Sequence, residues 1–297
     1  MCRKSSGNPI FRTVAGVLTA LGLAFRLALG SGTPFLATAD AADWKTGRIV
    51  SVEVIGTAFR ITLADGTIVE GSELEGATLA LVLPAETNPQ QVRITAIVPD
   101  VTDPEKEVLL YRMIVVDRGS GESEELCEPD QEGNRWAFPL RGQWDANGRR
   151  ISNEGFTLTC ATGAQGKCVR FGYKPWKTLP NGVSLADYHQ ACVRLVRADY
   201  CGTRGTTRDG MLIDIYDKIG ISTISDTADQ DTLKLEAAWD VNGAICVAHT
   251  RVPENITLER LAAECPRLRG HLGEAVCTRT AAESGAFGPA LLYNRSR

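Results

Sequence analysis

Hydrophobic and polar residues alternate along the first half of the chain in the manner of β-strands. The stretch FRITLADGTIVEG contains two alternating runs joined by Asp65-Gly66, a dipeptide that favours a tight hairpin. QQVRITAIV alternates as well, with Val92, Ile94 and Ala96 on one side. The longer apolar run EVLLYRMIVVD is typical of a strand buried on both faces or of a helix. Several short strands at this spacing predict a small sandwich or barrel.

The second half of the chain contains two similar turn sequences. FPLRGQWDANGRRIS and LEAAWDVNGAICVAHTR both contain Trp-Asp-x-Asn-Gly, at 144–148 and 239–243, and Asn-Gly predicts a hairpin at each site. The repetition indicates either an internal duplication that builds two similar binding edges or convergence on a common turn sequence. The flanking residues diverge within a few positions, which favours convergence.

Two segments have the apolar spacing and the end signals of helices. SLADYHQACVRLVRADYCG predicts a helix that Ser184 caps and that Gly202 ends in the left-handed conformation. TLERLAAEC predicts a shorter helix between a Thr257 cap and Pro266. The expected fold class is therefore α+β and β-rich, with a small N-terminal β-sandwich or barrel followed by a disulfide-braced α+β domain with hairpins and two helices.

The N-terminal residues have the order of a secretory signal. Basic residues up to Arg12 precede an apolar run at 14–25, and residues 39–41 (ADA) offer the small-x-small pattern that signal peptidase accepts. A membrane anchor is the alternative, but the run is followed by Arg26 and is shorter than the ~20 residues of a bilayer span. Residues 1–41 are therefore predicted to be a signal peptide, with no membrane span in the mature protein.

Removal of the signal makes the chain more acidic. Residues 1–41 contain four basic residues and one acidic residue, so their loss changes the formal charge by −3, from −4 to −7. Nucleic acids and anionic lipids require a dense basic face, which a chain of this charge is not expected to offer. The basic residues cluster locally in one place, at 197–208. The expected partner is instead an extracytoplasmic ligand or an envelope protein.

The cysteines divide the mature chain into two parts. None lies between residues 42 and 126, and the polar, glycine-bearing stretch 117–134 is typical of a linker, which places a boundary near Gly121. We therefore expect a β-rich domain at 42–120 and a cysteine-rich domain at 121–297. Eight cysteines follow the boundary, namely Cys127, Cys160, Cys168, Cys192, Cys201, Cys246, Cys265 and Cys277.

An even set of cysteines in an exported chain is ordinarily paired, because the compartment is oxidising. Cys192 and Cys201 are nine residues apart on the predicted helix, about 13.5 Å along its axis, so they are not expected to bond to each other. CATGAQGKC is expected to form a tight hairpin, which favours the pair Cys160–Cys168 while leaving other connectivities open. The expected location is the periplasm or the medium.

Five segments in order carry a resemblance to a known family. They are FTLTC, KCVRFGYKPW, HQACVRLVRADYCG, TRDGMLIDIYD and EAAWDVNGAICV. Together they resemble the ADYC-domain family of exported bacterial proteins, named for the motif at 198–201, over about 127–295 of this chain. The resemblance implies an extracytoplasmic compartment and a cysteine framework, and it implies no activity, cofactor or metal.

The segment RADYCGTRGTTRDG contains the candidate chemistry. Cys201 as a nucleophile would need a base such as His189, but the two lie twelve residues apart, about 18 Å on a continuous helix. A structural disulfide is therefore favoured for Cys201. The charged residues of the same segment, and those that follow up to Asp217, could form a hydrolase site or could brace the loop by ion pairs, which is the commoner use of such clusters. The candidate catalytic residues are Asp199, Arg204, Arg208 and Asp209.

A second candidate site is the aromatic stretch GYKPWK. Tyr173 and Trp176 could form a shelf for a sugar or peptide, or they could pack in the core, as Tyr and Trp do on average. Taken together, the sequence favours a non-catalytic binding or structural module of the cell envelope or medium. The alternative is a secreted hydrolase that uses the Asp/Arg cluster around residues 199–217.

Overall fold

The computed structural model describes residues 47–81, 90–117, 121–225 and 232–297. The predicted signal peptide lies outside the described residues. The described residues form thirteen β-strands in three sheets and four α-helices, which agrees with the expected β-rich α+β class. The strands are β1 Ile49–Ile55, β2 Ala58–Leu63, β3 Ile68–Glu70, β4 Thr78–Leu81, β5 Gln90–Pro99, β6 Leu109–Val116, β7 Ser123–Glu125, β8 Trp136–Trp144, β9 Arg150–Cys160, β10 Ile213–Asp217, β11 Lys234–Asp240, β12 Gly243–Val247 and β13 Leu292–Ser296. The helices are α1 Ala164–Arg170, α2 Leu185–Val196, α3 Leu258–Glu264 and α4 Arg279–Ser284.

The first two sheets share one hydrophobic core. The first sheet has the order β1-β2-β3, and the second has the order β4-β5-β6-β8-β9, with β7 paired to β6. Phe59 of β2 packs edge-on against Tyr111 of β6 at 5.6 Å and against Phe156 of β9 at 5.4 Å between ring centroids. The second sheet takes strands from both sides of Gly121, and a domain boundary at that residue stays a prediction.

The sequence patterns of this region correspond to its strands, with one shift of register. The Asp65-Gly66 hairpin joins β2 to β3, and Asp65 Oδ1 accepts a hydrogen bond from the Thr67 amide. EVLLYRMIVVD forms β6, a strand between β5 and β8 and not a helix. In β5 the expected alternation is wrong after Ile94, because a bulge there buries Ile97 in place of Ala96.

The third sheet supports the helical part of the chain. Its order is β10-β13-β11-β12, and α2 packs on it over a core that includes the fully buried Trp239. Both predicted Asn-Gly hairpins are present, between β8 and β9 and between β11 and β12. The Ser184 and Thr257 side chains cap α2 and α3 as expected, accepting hydrogen bonds from the amides of Ala186 and Arg260.

Helix α2 ends earlier than the sequence predicts. Its last residue is Val196, and Ala198 rather than Gly202 takes the left-handed conformation that ends it, with φ 47°. The amides of Ala198 and Asp199 donate to the carbonyls of Leu195 and Arg194, which completes a Schellman motif. The motif segment, residues 198–201, therefore turns away from the α2 axis at its first residue, Ala198.

The eight cysteines form four disulfides with Cα separations of 5.6–5.8 Å. The favoured Cys160–Cys168 pair is wrong, because the residues between them form α1 and not a hairpin. Gly166 of α1 lies so close to the end of β9 that a Cβ there would be 2.2 Å from the Cys160 carbonyl oxygen. Cys192 and Cys201 are not bonded to each other. The pairs are Cys127–Cys160, Cys168–Cys192, Cys201–Cys265 and Cys246–Cys277.

Candidate functional site

Asp199, the first candidate acid, is completely buried just after α2. Its Oδ2 accepts a hydrogen bond from Arg194 Nη1 at 2.6 Å, and its Oδ1 accepts one from the Arg204 amide at 3.0 Å. The Asp199 carboxylate is thus bound by two donors inside the protein, one of them a guanidinium. It has no face open to a substrate.

Arg194 ties the end of α2 to both Trp-Asp-x-Asn-Gly turns. Its side chain is 1% exposed, and besides Asp199 it donates to the Asn147 carbonyl at 3.0 Å and to the Val241 carbonyl at 3.4 Å. These carbonyls lie in the turns after β8 and β11. One buried guanidinium thus joins the second and third sheets to the segment that follows α2.

The motif segment and the second turn touch through their backbones. A Cβ on Gly202 would lie 2.2 Å from the Asn242 carbonyl oxygen, and a Cβ on Gly243 would lie 2.6 Å from the Tyr200 carbonyl oxygen. Both positions therefore require glycine. Arg267 Nη2 donates to the Tyr200 and Asn242 carbonyls at 2.7 and 3.0 Å, and burial lowers the pKa of its guanidinium.

Tyr200 is the centre of a second buried network. Its hydroxyl donates to Glu236 Oε1 at 2.9 Å and accepts from the Arg251 amide at 2.8 Å. Burial, and then the charge of Glu236, raise the pKa of this hydroxyl well above its usual value. The ring stacks on Trp239 with centroids 5.3 Å apart, and Trp239 Nε1 donates to Asn294 Oδ1 at 2.8 Å. The hydroxyl of the motif tyrosine is therefore used entirely inside the protein.

The ion pair of Glu236 and Arg251 completes this network. Neither side chain is more than 1% exposed, and Arg251 Nε donates to Glu236 Oε2 at 2.9 Å. Arg251 Nη2 and Nη1 also donate to the carbonyls of Leu195 and Val196 at 2.9 and 3.0 Å. These carbonyls belong to the last turn of α2, where a positive charge is favourable.

Cys201 is bonded to Cys265, so no thiolate is available at this position. The disulfide fixes the motif segment to the end of α3. The base considered with it, His189, has Nε2 3.1 Å from the Gln165 carbonyl oxygen and a ring that lies against Trp144. Burial lowers the pKa of His189 to about 4.

The remaining candidates of the Asp/Arg cluster do not converge with Asp199. Arg204 reaches outward to Glu264 at 3.1 Å, and Arg208 and Asp209 are exposed. Within the described part of the chain, neither Arg208 nor Asp209 belongs to an ion pair. The structure therefore divides the four candidates between a buried network and an exposed loop.

Tyr173 and Trp176 differ in exposure. Tyr173 is completely buried, and its hydroxyl donates to Asp217 Oδ2 at 2.7 Å. Burial raises the pKa of that hydroxyl. Trp176 is half-buried and packs against the first core beside Gly56. Because Tyr173 is buried, the two rings do not form an exposed shelf together. The possible binding residue is therefore Trp176 alone.

A buried lysine between these aromatic residues was not predicted from the sequence. Lys174 is 3% exposed and contacts Asp103 at 2.8 Å and Glu105 at 2.6 Å, while Lys177 contacts Glu105 at 2.6 Å and Glu107 at 3.0 Å. The acidic run DVTDPEKE and the pair of lysines in YKPWK were visible as charge patterns. Nothing local indicated that these charges, 71 residues apart at Lys174 and Asp103, would meet.

A surface groove of about 810 Å³ lies at the end of the third sheet, and none of its lining residues belongs to either predicted site. It is formed by the start of β11, the loop after β12, the N-terminal turn of α3, the loop before α4 and residue 297. Its charged and ionisable lining residues are Lys234, His249, Glu259, Glu274 and Arg297. The sequence did not indicate it, because these residues come from five separate segments.

The described residues contain no cluster of three His, Cys, Asp or Glu side chains placed to hold a metal ion. Across the same ranges, no helix is long and apolar enough to cross a bilayer.

Comparison with known proteins gives one family match. Searches among curated proteins and among solved structures return no match. The family model described as the ADYC domain matches residues 71–253, which is more than half of the chain. It begins within the first core and includes Asp199, Tyr200 and most of their buried partners, and this chain belongs to the ADYC domain family.

Proposed function

We propose that this protein is an exported, disulfide-stabilised module that binds or holds a partner outside the cytoplasm and catalyses no reaction. The observation that carries the proposal is the use of the motif's own polar groups. The Asp199 carboxylate, the Tyr200 hydroxyl and the Cys201 sulfur all have partners inside the protein. Such groups stabilise a fold and are not positioned to act on a substrate.

Export is supported by the N-terminal sequence and by the disulfides. The charged start, the apolar run and the ADA pattern have the order of a signal peptide. Four disulfides persist in an oxidising compartment and are rare where glutathione keeps thiols reduced. The intact mass of the protein recovered from the periplasm or medium of a bacterial host should correspond to a chain that begins at Ala42. Recovery of the uncleaved chain from the cytoplasm with free thiols would contradict export.

The hydrolase alternative has its remaining support in Arg208 and Asp209, which are exposed on one loop. A screen of the purified protein against p-nitrophenyl esters, phosphates and glycosides and against casein distinguishes the two functions. The expected result is no turnover above that of buffer. The variants Asp209→Asn and Arg208→Gln provide the matched comparison, since both residues are exposed and the fold should tolerate them. Turnover that is lost in either variant, at unchanged thermal stability, would establish the hydrolase instead.

A further inference from the structure

The groove at the end of the third sheet has a defined construction. Lys234 begins β11 and is paired with Ser296 of β13, so Arg297 follows directly at the same end of the sheet. His249 reaches this end as well, with Nε2 3.0 Å from Ser296 Oγ. The N-terminal turn of α3 adds Glu259 on the facing side. The groove thus lies between the end of the third sheet and the N-terminal turn of α3.

The acceptors of the groove already have donors. The Glu259 pKa is lowered, first by a hydrogen bond from its own backbone amide and then by one from the Thr257 hydroxyl, so this carboxylate is occupied at the helix end. Glu274 lies 3.8 Å from Lys234, a loose and exposed ion pair. A ligand that brought further donors would compete with the contacts of Glu259.

Three polar groups of the groove are less fully used. His249 Nδ1 is buried and has no hydrogen-bond partner in the described ranges. Arg297 is exposed and forms no ion pair with any described residue. Lys234 has 73% of its side chain exposed and contacts Glu274 alone among the described carboxylates. The two cations, Lys234 and Arg297, therefore favour a ligand that carries an acceptor with negative charge.

The rest of the lining is apolar or bears methyl groups. Pro253, Leu258, Thr250 and Thr257 contribute walls between the charged groups. The volume of about 810 Å³ falls in the range of small-molecule sites. We propose that this groove binds a small organic anion, with its apolar body against Pro253 and Leu258 and its carboxylate toward Lys234 and Arg297. This inference rests on the proposed function, because it names the ligand class of the binding module.

The test uses 8-anilinonaphthalene-1-sulfonate as a fluorescent probe with an apolar body and an anionic group. Saturable binding to the oxidised, folded protein is expected. Lys234→Gln and Arg297→Gln should each weaken binding by about twofold to fivefold, the effect of one exposed charge contact, and the double variant by about tenfold. Arg48→Gln, which removes an exposed arginine beside β1, should leave the affinity unchanged.

Competition then tests the ligand class. Hexanoate should displace the probe, and hexanol, which has the same apolar length and no charge, should displace it far less. Failure of the probe to bind, equal displacement by the two competitors, or an unchanged affinity in the double variant would each overturn the anion site. None of these results bears on catalysis, so the proposed function is tested separately by the substrate screen.

Discussion

Replacing Arg194 with methionine is expected to destabilise the protein strongly. Methionine keeps an unbranched apolar stem and removes the guanidinium, so the completely buried Asp199 carboxylate keeps the Arg204 amide as its donor and loses the Arg194 charge. Removing one partner of a buried ion pair costs about 3–5 kcal/mol. The change also takes a donor from the Asn147 and Val241 carbonyls.

The expected loss is large compared with the whole stability of the fold. A domain is stable by about 5–15 kcal/mol, and each kcal/mol corresponds to about 2–4 °C in Tm at this size, so the Tm should fall by about 6–20 °C. Urea unfolding of the oxidised protein, followed by tryptophan fluorescence, measures the change. Arg208→Met is the matched control, because that arginine is exposed and its loss should change the free energy of unfolding by less than about 0.5 kcal/mol.

A double-mutant cycle isolates the ion pair from the other contacts. Asp199→Asn alone leaves the Arg194 guanidinium buried without a counter-charge, whereas Arg194→Met with Asp199→Asn removes both charges. The double variant should therefore lose at least about 1 kcal/mol less than the sum of the two single variants. Additive losses, or a loss below about 1 kcal/mol for Arg194→Met, would refute the role given to this pair.

Three further predictions follow from other contacts. Peptide mapping of the unreduced mature protein should recover the four disulfides described above and no free thiol; a peptide that joins Cys160 to Cys168 would contradict the fold of α1. Tyr200→Phe should cost about 1–3 kcal/mol because it leaves buried partners of the hydroxyl unsatisfied, while Tyr188→Phe, at a half-buried ring, should cost far less. Hydrogen bonds from Lys174 and then Lys177 lower the pKa of Glu105. The contribution of Glu105 to stability is therefore present above its unfolded pKa of about 4.3 and is lost as the pH falls through the lower folded pKa. Urea midpoints measured between pH 7 and pH 3 should show this loss, and a Lys174→Met variant with the same pH dependence would contradict it.

The features that sequence could predict depend on a few neighbouring residues. The Asp65-Gly66 hairpin follows from a side-chain acceptor and a glycine with φ 86°, both within the turn itself. The Ser184 and Thr257 caps also depend on contacts within two or three residues. Local chemistry decided each of these elements, so tertiary packing had little to change.

The predictions that failed depended on distant contacts. Glycine is the usual residue in the left-handed position after a helix, so Gly202 was the natural end of α2. Instead, Ala198 takes that position, and the Thr206 hydroxyl donates to its carbonyl at 2.7 Å while Asp199 is bound by Arg194. These contacts offset the strain of a positive φ at alanine. Likewise, Gly166 permits α1 to pack on the end of β9, a close approach that a hairpin pattern does not indicate.

The buried networks escaped prediction because their members are far apart in sequence. Tyr200 and Glu236 are 36 residues apart, and Glu236 and Asn294 are 58 apart, yet they share hydrogen bonds in one interior. Composition shows that charged residues are present but not which of them are buried. The motif name therefore marks residues that form the interior of the fold, and the exposed charged groups of the groove lie outside the motif.

The two Trp-Asp-x-Asn-Gly turns show how similar sequences arise from a shared local requirement. In both, the aspartate accepts a hydrogen bond from the asparagine amide two residues later, at 3.0 Å in the first and 2.7 Å in the second. Their tryptophans differ: Trp239 is fully buried with Nε1 bonded to Asn294, whereas Trp144 is half-buried under Arg150 and its Nε1 has no partner in the described ranges. The hairpins also belong to different sheets. A duplicated unit would be expected to repeat its packing as well as its turn, so the structure favours convergence on a turn that presents carbonyls to one buried arginine.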